Sequence, residues 1–389
     1  YHDTTFYLIC SNIKDFKFIN EIFGMEKGNQ VLIKQAKLMA SNPSERTICA
    51  RLMNDRFALC LPREEFDEKR VADSIKELQR EFSGNSFHLH TYMGVYEIRD
   101  RDEAVGIMVD KANIAADTIK NNYDCCVAYY DEHLLEISIE QRRLLGEFEP
   151  ALQKDEFVMY LQPQVKRDGA AKGAEALVRW VHPSRGILTP YAFIDILENA
   201  GLIYKLDLYI WEKAAQKLAE WKEKGYGSYH ISVNISTKDF YIIDIYETFT
   251  GLINKYGIAA SNLHLEITET TLMTDFEKNM NIIHKLQGVG FRVEIDDFGS
   301  GYSSLNMLKD ISADVLKIDM GFLRKSENEV KGQDILESII TLAGKIGMDV
   351  ITEGVETKKQ LDMLTMMGCH EFQGYYFSKP VPVSEFEEK

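Results

Sequence analysis

The sequence predicts two domains of different class: an α+β domain with a largely antiparallel sheet over residues 1–130, and an α/β domain of (β/α)8 barrel type over residues 150–389. Three observations predict this. The chain has 389 residues, more than one typical hydrophobic core accommodates. From about residue 150 onward, strand and helix patterns alternate to the end without low-complexity sequence. In that same stretch a polar residue recurs at or just after the end of a short apolar run: Glu175, Asn234, Glu266, Asp296 with Asp297, Lys317, Glu353 and Gln373. From Asn234 the steps are 32, 30, 21, 36 and 20 residues, the length of one strand, one helix and two loops. Polar groups at strand ends, repeated at this spacing, line the mouth of a barrel of parallel strands.

In the first domain, residues 5–13 form an apolar run that predicts a strand, and 26–40 suit a helix. Residues 46–61 (RTICARLMNDRFALCL) predict two strands around a tight turn near Asn54–Asp55. Residues 64–82 carry apolar positions at helical spacing, and FHLHTYMGVYEI at 87–98 alternates as a strand does. A helix over 104–120 and a strand over 125–130 complete the order β-α-β-β-α-β-α-β. Residues 131–149 (DEHLLEISIEQRRLLGEFE) are charged and helical, and read as the connector.

Composition narrows the function. The net charge of −16 argues against nonspecific nucleic-acid binding, which relies on Lys and Arg to neutralise phosphates. No run approaches the length of about 18 apolar residues that a membrane span needs, and no signal peptide opens the sequence, so this chain reads as cytoplasmic. The six cysteines form no CxxC pair and fit reduced thiols better than a disulfide framework or a zinc site.

The strand-end residues are mostly carboxylates. Carboxylates held close together repel unless a divalent cation joins them, so the barrel reads as metal-dependent. Glu175, Asn234, Glu266, Asp296 and Asp297 are five oxygen-rich side chains among these strand-end residues. Hard oxygen ligands without His or Cys favour Mg²⁺ or Mn²⁺ over zinc. Taken singly, a strand-end carboxylate can equally cap a helix, Lys317 can be a structural ion-pair partner, Arg179 can pack in the barrel beside Trp180, and Glu356 suits a capping or supporting role.

The motifs EALVRW (175–180), SVNIS (232–236), LEITET (265–270), IDDFGSGYSSL (295–305), LKID (316–319), TEGVET (352–357) and QGYYFSKP (373–380) together resemble the EAL phosphodiesterases of cyclic di-GMP, across essentially all of 137–389. The resemblance implies hydrolysis of cyclic di-GMP to linear pGpG with two divalent cations. It implies that Glu353 is a metal ligand or general base, and that Lys317 orients the attacking water. It makes Gln162, Arg179 and Gln373 substrate contacts and gives Glu269 the bracing of the DDFGSGYSSL loop, whose dimer contact implies a homodimer. Arg179 suits a phosphate because its donor fork is fixed. The alternatives are a catalytically silent cyclic di-GMP receptor and another two-metal phosphohydrolase on the same barrel. The full set of ligand positions favours the phosphodiesterase.

Residues 5–130 resemble a GGDEF domain, the fold of diguanylate cyclases, with degraded chemistry. Where Gly-Gly-Asp-Glu-Phe should follow an Arg, Arg51-Leu52 precedes Met53-Asn54-Asp55-Arg56-Phe57. Arg56 reverses the charge of a metal-binding position. Asn54 tolerates the left-handed backbone of the turn, and Met53 would crowd a nucleotide. The Asp-Ile-Asp-x-Phe-Lys stretch reads Asn12-Ile13-Lys14-Asp15-Phe16-Lys17, so a second carboxylate is Asn12. Asn20 and Lys120 are retained, and Ser44-Glu45-Arg46-Thr47 stands where an inhibitory RxxD site would begin. The reading is no cyclase activity and a scaffold or regulatory role, with GTP as the ligand of the regulatory version. The helices that precede the first strand in the family are missing, so the sequence reads as part of a longer protein, open to membrane anchoring upstream of Tyr1.

Overall fold

The computed structural model describes residues 4–14, 16–40, 44–82, 89–122, 124–298, 311–319 and 329–388. It divides into two compact units, residues 1–143 and 144–389. The helix Glu132–Gln153 carries the chain across that division.

The first unit contains β1 (Phe6–Ile13), a helix (Phe16–Met39), β2 (Ile48–Arg51), β3 (Phe57–Pro62), a helix (Glu68–Phe82), β4 (Thr91–Ile98), a helix (Val105–Thr118) and β5 (Val127–Tyr129). The sheet order is β2-β3-β1-β4-β5; only β4 with β5 is parallel, so the sheet is largely antiparallel. Ile9, Ile13, Leu61, Met93 and Val95 form its core with Ile75 and Leu78 of the helix Glu68–Phe82. The β2–β3 turn places Asn54 at φ 53 and is closed by Arg56 N–H to the Met53 carbonyl at 2.9 Å. The helix Phe16–Met39 begins ten residues ahead of the predicted one and bends at Gly24, whose φ of 83 suits glycine.

The second unit is a closed barrel. Its ring runs β6 (Phe157–Lys166), β7 (Ala171–His182), β9 (His230–Ile235), β10 (Leu263–Thr268), β11 (Val293–Phe298), β12 (Val315–Asp319), β13 (Asp349–Glu353) and β14 (Glu371–Phe372), which returns to β6. Two short strands, β8 (Gly186–Leu188) and β15 (Val381–Pro382), pair outside the ring with β7 and β6. The strands from β7 through β14 are parallel neighbours, whereas β6 is antiparallel to both β7 and β14. A hairpin whose turn contains Gly169 at φ 84 reverses the chain between β6 and β7.

The wall is built by alternation. Ile231, Val233, Leu263, Leu265, Ile267, Val293, Ile295, Leu316 and Ile318 pack in the apolar core with residues of the surrounding helices, among them Trp211, Ile283, Leu286 and Leu336. The residues between them on each strand point the other way, into the barrel. Thus one residue in two shapes the core, and the rest are free to carry polar groups. Among the described residues no helix is long and apolar enough to cross a membrane, and all six cysteines are free.

Candidate active site

The polar strand ends meet around Lys317. Lys317 of β12 is fully buried, and its Nζ lies 2.7 Å from Glu353 Oε1, 2.9 Å from Glu266 Oε2, 3.3 Å from Asp296 Oδ1 and 3.5 Å from Glu175 Oε2. These four carboxylates come from β13, β10, β11 and β7. Asn234, exposed on β9, donates from Nδ2 to Glu175 Oε1 at 3.3 Å and pairs in register with Glu266. Burial would penalise an ammonium, but the surrounding carboxylates hold Lys317 well above its usual range.

The acids move up as well, because burial and one another's charge disfavour their ionised forms. Glu353 is pushed up to about 8, first by burial and then by the charges of Asp296 and Glu175, with Lys317 opposing. Glu266, fully buried, is raised well above the carboxylate range by burial and by Glu175. Both oxygens of Glu266, Oδ1 of Asp296 and Oε1 of Glu353 accept no aligned hydrogen bond. Buried carboxylate oxygens without donors are costly, and among the described residues Lys317 lies within 3.3 Å of one oxygen of each of these three acids.

Asp297 does not follow a regular strand end. A register shift between Ile295 and Phe298 puts Asp297 at φ 56, a left-handed conformation that a short polar residue tolerates. The bulge lets Asp296 reach Lys317 while Asp297 stays exposed at the rim. Partial desolvation at the rim, then the charges of Asp296 and Asp319, raise its carboxyl.

Gln373 joins the cluster from the segment after β14. Its Nε2 donates to Glu175 Oε2, and to Gln162 Oε1 at 3.3 Å; Gln162 in turn donates to the Ser378 carbonyl at 3.3 Å. The next residue is Gly374, where a Cβ would overlap the backbone of Val355. That close approach ties Gln373 to the end of β13, where the Val355 N–H donates to the Gln373 carbonyl at 3.1 Å. Arg179 lies off the lysine cluster, over the Tyr160 ring at 5.5 Å, with Nη1 donating to its neighbour Val178 at 2.8 Å. Its guanidinium is lowered by partial burial, opposed by the nearby Tyr160, Tyr375 and Glu175.

Two supporting positions differ in outcome. Glu269 is half-buried and opens the helix Glu269–Thr274 directly after β10, but residues 299–310 of the loop it is expected to brace lie outside the described residues. Glu356 precedes Thr357, and it is Thr357 that caps the next helix in a capping box with Gln360.

Below this mouth lies a second polar layer that the motif reading passes over: Gln164, His230, Ser232, His264 and Glu294, all buried. Ser232, His264 and Glu294 each precede a mouth residue by two positions. The strand period of two therefore places 232 with 234, 264 with 266, and 294 with 296 on one face. Following that period downward from Asn234, Glu266 and Asp296 finds them.

A family model described as EAL domain matches residues 146–380, more than half of the chain. The chain belongs to the EAL family. A model described as diguanylate cyclase, GGDEF domain, matches residues 1–124, so the two stand in tandem. The EAL chain is 30% identical over 393 residues to the bifunctional diguanylate cyclase/cyclic di-GMP phosphodiesterase MucR of Pseudomonas aeruginosa, covering 98% of this chain and 57% of that protein. It is 27% identical to the cyclic di-GMP phosphodiesterase PdeR of Escherichia coli, covering 98% and 58%. A solved structure described as PaMucR phosphodiesterase, c-di-GMP complex, aligns with a TM-score of 0.60 and 33% identity over 63% of this chain and 99% of that one. The chain thus spans little more than half the length of these two curated relatives.

Proposed function

We propose that the barrel hydrolyses one phosphodiester of cyclic di-GMP, giving linear pGpG. The observation that carries this is the convergence of Glu175, Asn234, Glu266, Asp296 and Glu353 from five strands on one mouth around Lys317. The phosphodiesterase names of the relatives support the substrate class.

The mouth fits divalent cations. Its donors are oxygen only, several are buried without a hydrogen bond, and they carry more negative charge than Lys317 offsets. Glu175, Asn234, Glu266, Asp296 and Asp297 would hold two ions, Mg²⁺ or Mn²⁺ by donor hardness, with Glu353 beside them. Bound there, the ions supply neutralisation of the phosphate and acidification of a water.

The rest of the chemistry belongs to the chain. Glu353, at the end of β13 beside Lys317, is placed to accept a proton from the attacking water. Lys317 Nζ sits within 2.7 Å of that group and orients the same water. Gln373 fixes Glu175 against rotation and, with Gln162, presents amides at the mouth. Arg179, backed by Tyr160, offers its donor fork to a phosphate oxygen.

The first unit, residues 1–130, serves in this reading as a scaffold or regulatory module without cyclase activity, joined to the phosphodiesterase of residues 150–389 through 131–149. Asn12 is tied to Tyr92 OH at 3.0 Å, and Met53 is exposed at the turn where a nucleotide would approach. GTP binding at that turn and a homodimer through the barrel are the further parts of this reading. Appearance of pGpG on incubation with cyclic di-GMP and Mg²⁺ or Mn²⁺ tests the activity. The same reaction with added GTP tests regulation, and pGpG formed equally with a chelator would sink the metal-dependent mechanism.

A further inference from the structure

The layer beneath the mouth has a different donor set. His230 and His264 stack with ring centroids 3.8 Å apart, and His264 Nδ1 lies 2.6 Å from Glu294 Oε1. One nitrogen from each histidine and one oxygen of Glu294 lie within 4.8 Å of one another. Gln164 Oε1 is 2.7 Å from His230 Nε2, and Ser232 Oγ donates to Glu294 Oε1 at 3.2 Å. The second oxygen of Glu294, fully buried, has no partner. Gly173 makes the room: a Cβ there would overlap the His230 ring.

We propose that His230, His264 and Glu294 form a binding site for one borderline transition-metal ion such as Zn²⁺ or Co²⁺, separate from the oxygen-lined mouth above. Two imidazole nitrogens with one carboxylate suit such an ion and do not suit Mg²⁺. Zinc bonds to nitrogen and oxygen of about 2.0–2.2 Å put the ligand atoms of one tetrahedral ion roughly 3.3 Å apart. Loading therefore draws the present set closer by up to about 1.5 Å and unstacks the rings, each imidazole turning to bring a lone pair in line. The ion gives the partnerless Glu294 oxygen a counter-charge, and Gln164 and Ser232 are at hand to orient the ligands. Because the layer is buried, loading accompanies folding. Its role is structural: it fixes the lower ends of β9, β10 and β11, which present Asn234, Glu266 and Asp296 two residues higher.

The test uses the whole chain, refolded with Co²⁺ in millimolar Mg²⁺ and then freed of loose metal. Cobalt per chain and X-ray absorption are the readouts. The proposal expects about one retained cobalt with imidazole scattering. It expects retention in the mouth variant Glu175→Ala/Asp296→Asn and a fall to background in His264→Gln and His230→Gln. Wild-type protein that holds no cobalt, or holds it without imidazole ligation, overturns the site. So does loss in the mouth variant with retention in both histidine variants. The wild-type and mouth-variant results decide the matter even if the histidine variants do not refold, and none of these readouts depends on the chain cleaving cyclic di-GMP.

Discussion

At the barrel mouth, side chains from separate strands surround a buried lysine with acids. At the tip of the β2–β3 hairpin, the equivalent functional positions of the other unit hold Met53, Asn54 and Arg56. Both backbones survive. The hairpin keeps its left-handed residue at Asn54, its closing hydrogen bonds and the brace from Arg51 to the Asn54 carbonyl at 2.9 Å. What differs is the charge that the side chains carry: clustered acids at the mouth, and Asp55 beside Arg56 at the hairpin. Fold persists on turn geometry and apolar alternation; activity rests on a few positions that contribute little to either.

The largest effect expected is at Glu353. Replacing it with Gln should lower kcat by about 10²–10⁴-fold with the fold intact, the range for loss of a general base. Loss of activity accompanied by loss of the circular dichroism spectrum would make the residue structural instead. Lys317→Met should destabilise the cation-free protein by about 3–5 kcal/mol, since it strands buried acids without a counter-charge. Mg²⁺ should recover most of that in urea unfolding. Equal destabilisation with and without Mg²⁺ would show that the acids and lysine do not act as one cluster.

The pH dependence sharpens the contrast between the units. Glu353 in the fold sits at about 8, above its ordinary 4.5. The fold therefore keeps a proton that the unfolded chain has released, and stability falls as pH rises from about 4.5 to 8. Glu266 is shifted in the same direction. With chelator present, the barrel's Tm should decline across that window, and Glu353→Gln should flatten the decline. A Tm rising across the window would contradict the burial argument. Smallest is the hairpin. Asn54→Ala should cost the first unit about 1 kcal/mol for the left-handed turn, and Asn54→Gly close to nothing. Neither should alter the barrel's turnover if the first unit is a scaffold; a change in turnover would make it a regulator.

Much of the site was legible because one polar residue falls at the end of nearly every apolar run, and a barrel of parallel strands must gather such residues at one end. Three features were not. The reversal of β6 depends on the turn around Gly169, and an apolar strand reads alike in both directions. The bulge at Asp297 looks in sequence like an ordinary strand end, although it alone separates Asp296 from the rim. The inner layer of His264 and Glu294 is hidden because each residue sits singly between apolar neighbours, and only the register of adjacent strands brings them together.

The mouth is proposed here as a working, cation-dependent phosphodiesterase site. Incubating the chain with cyclic di-GMP and Mg²⁺ or Mn²⁺, beside Glu175→Ala, and following pGpG tests it most directly. pGpG is expected from the wild type, none with chelator and almost none from the variant. Tight binding of cyclic di-GMP by folded wild-type protein with no pGpG under either metal would contradict it, and would make the barrel a receptor.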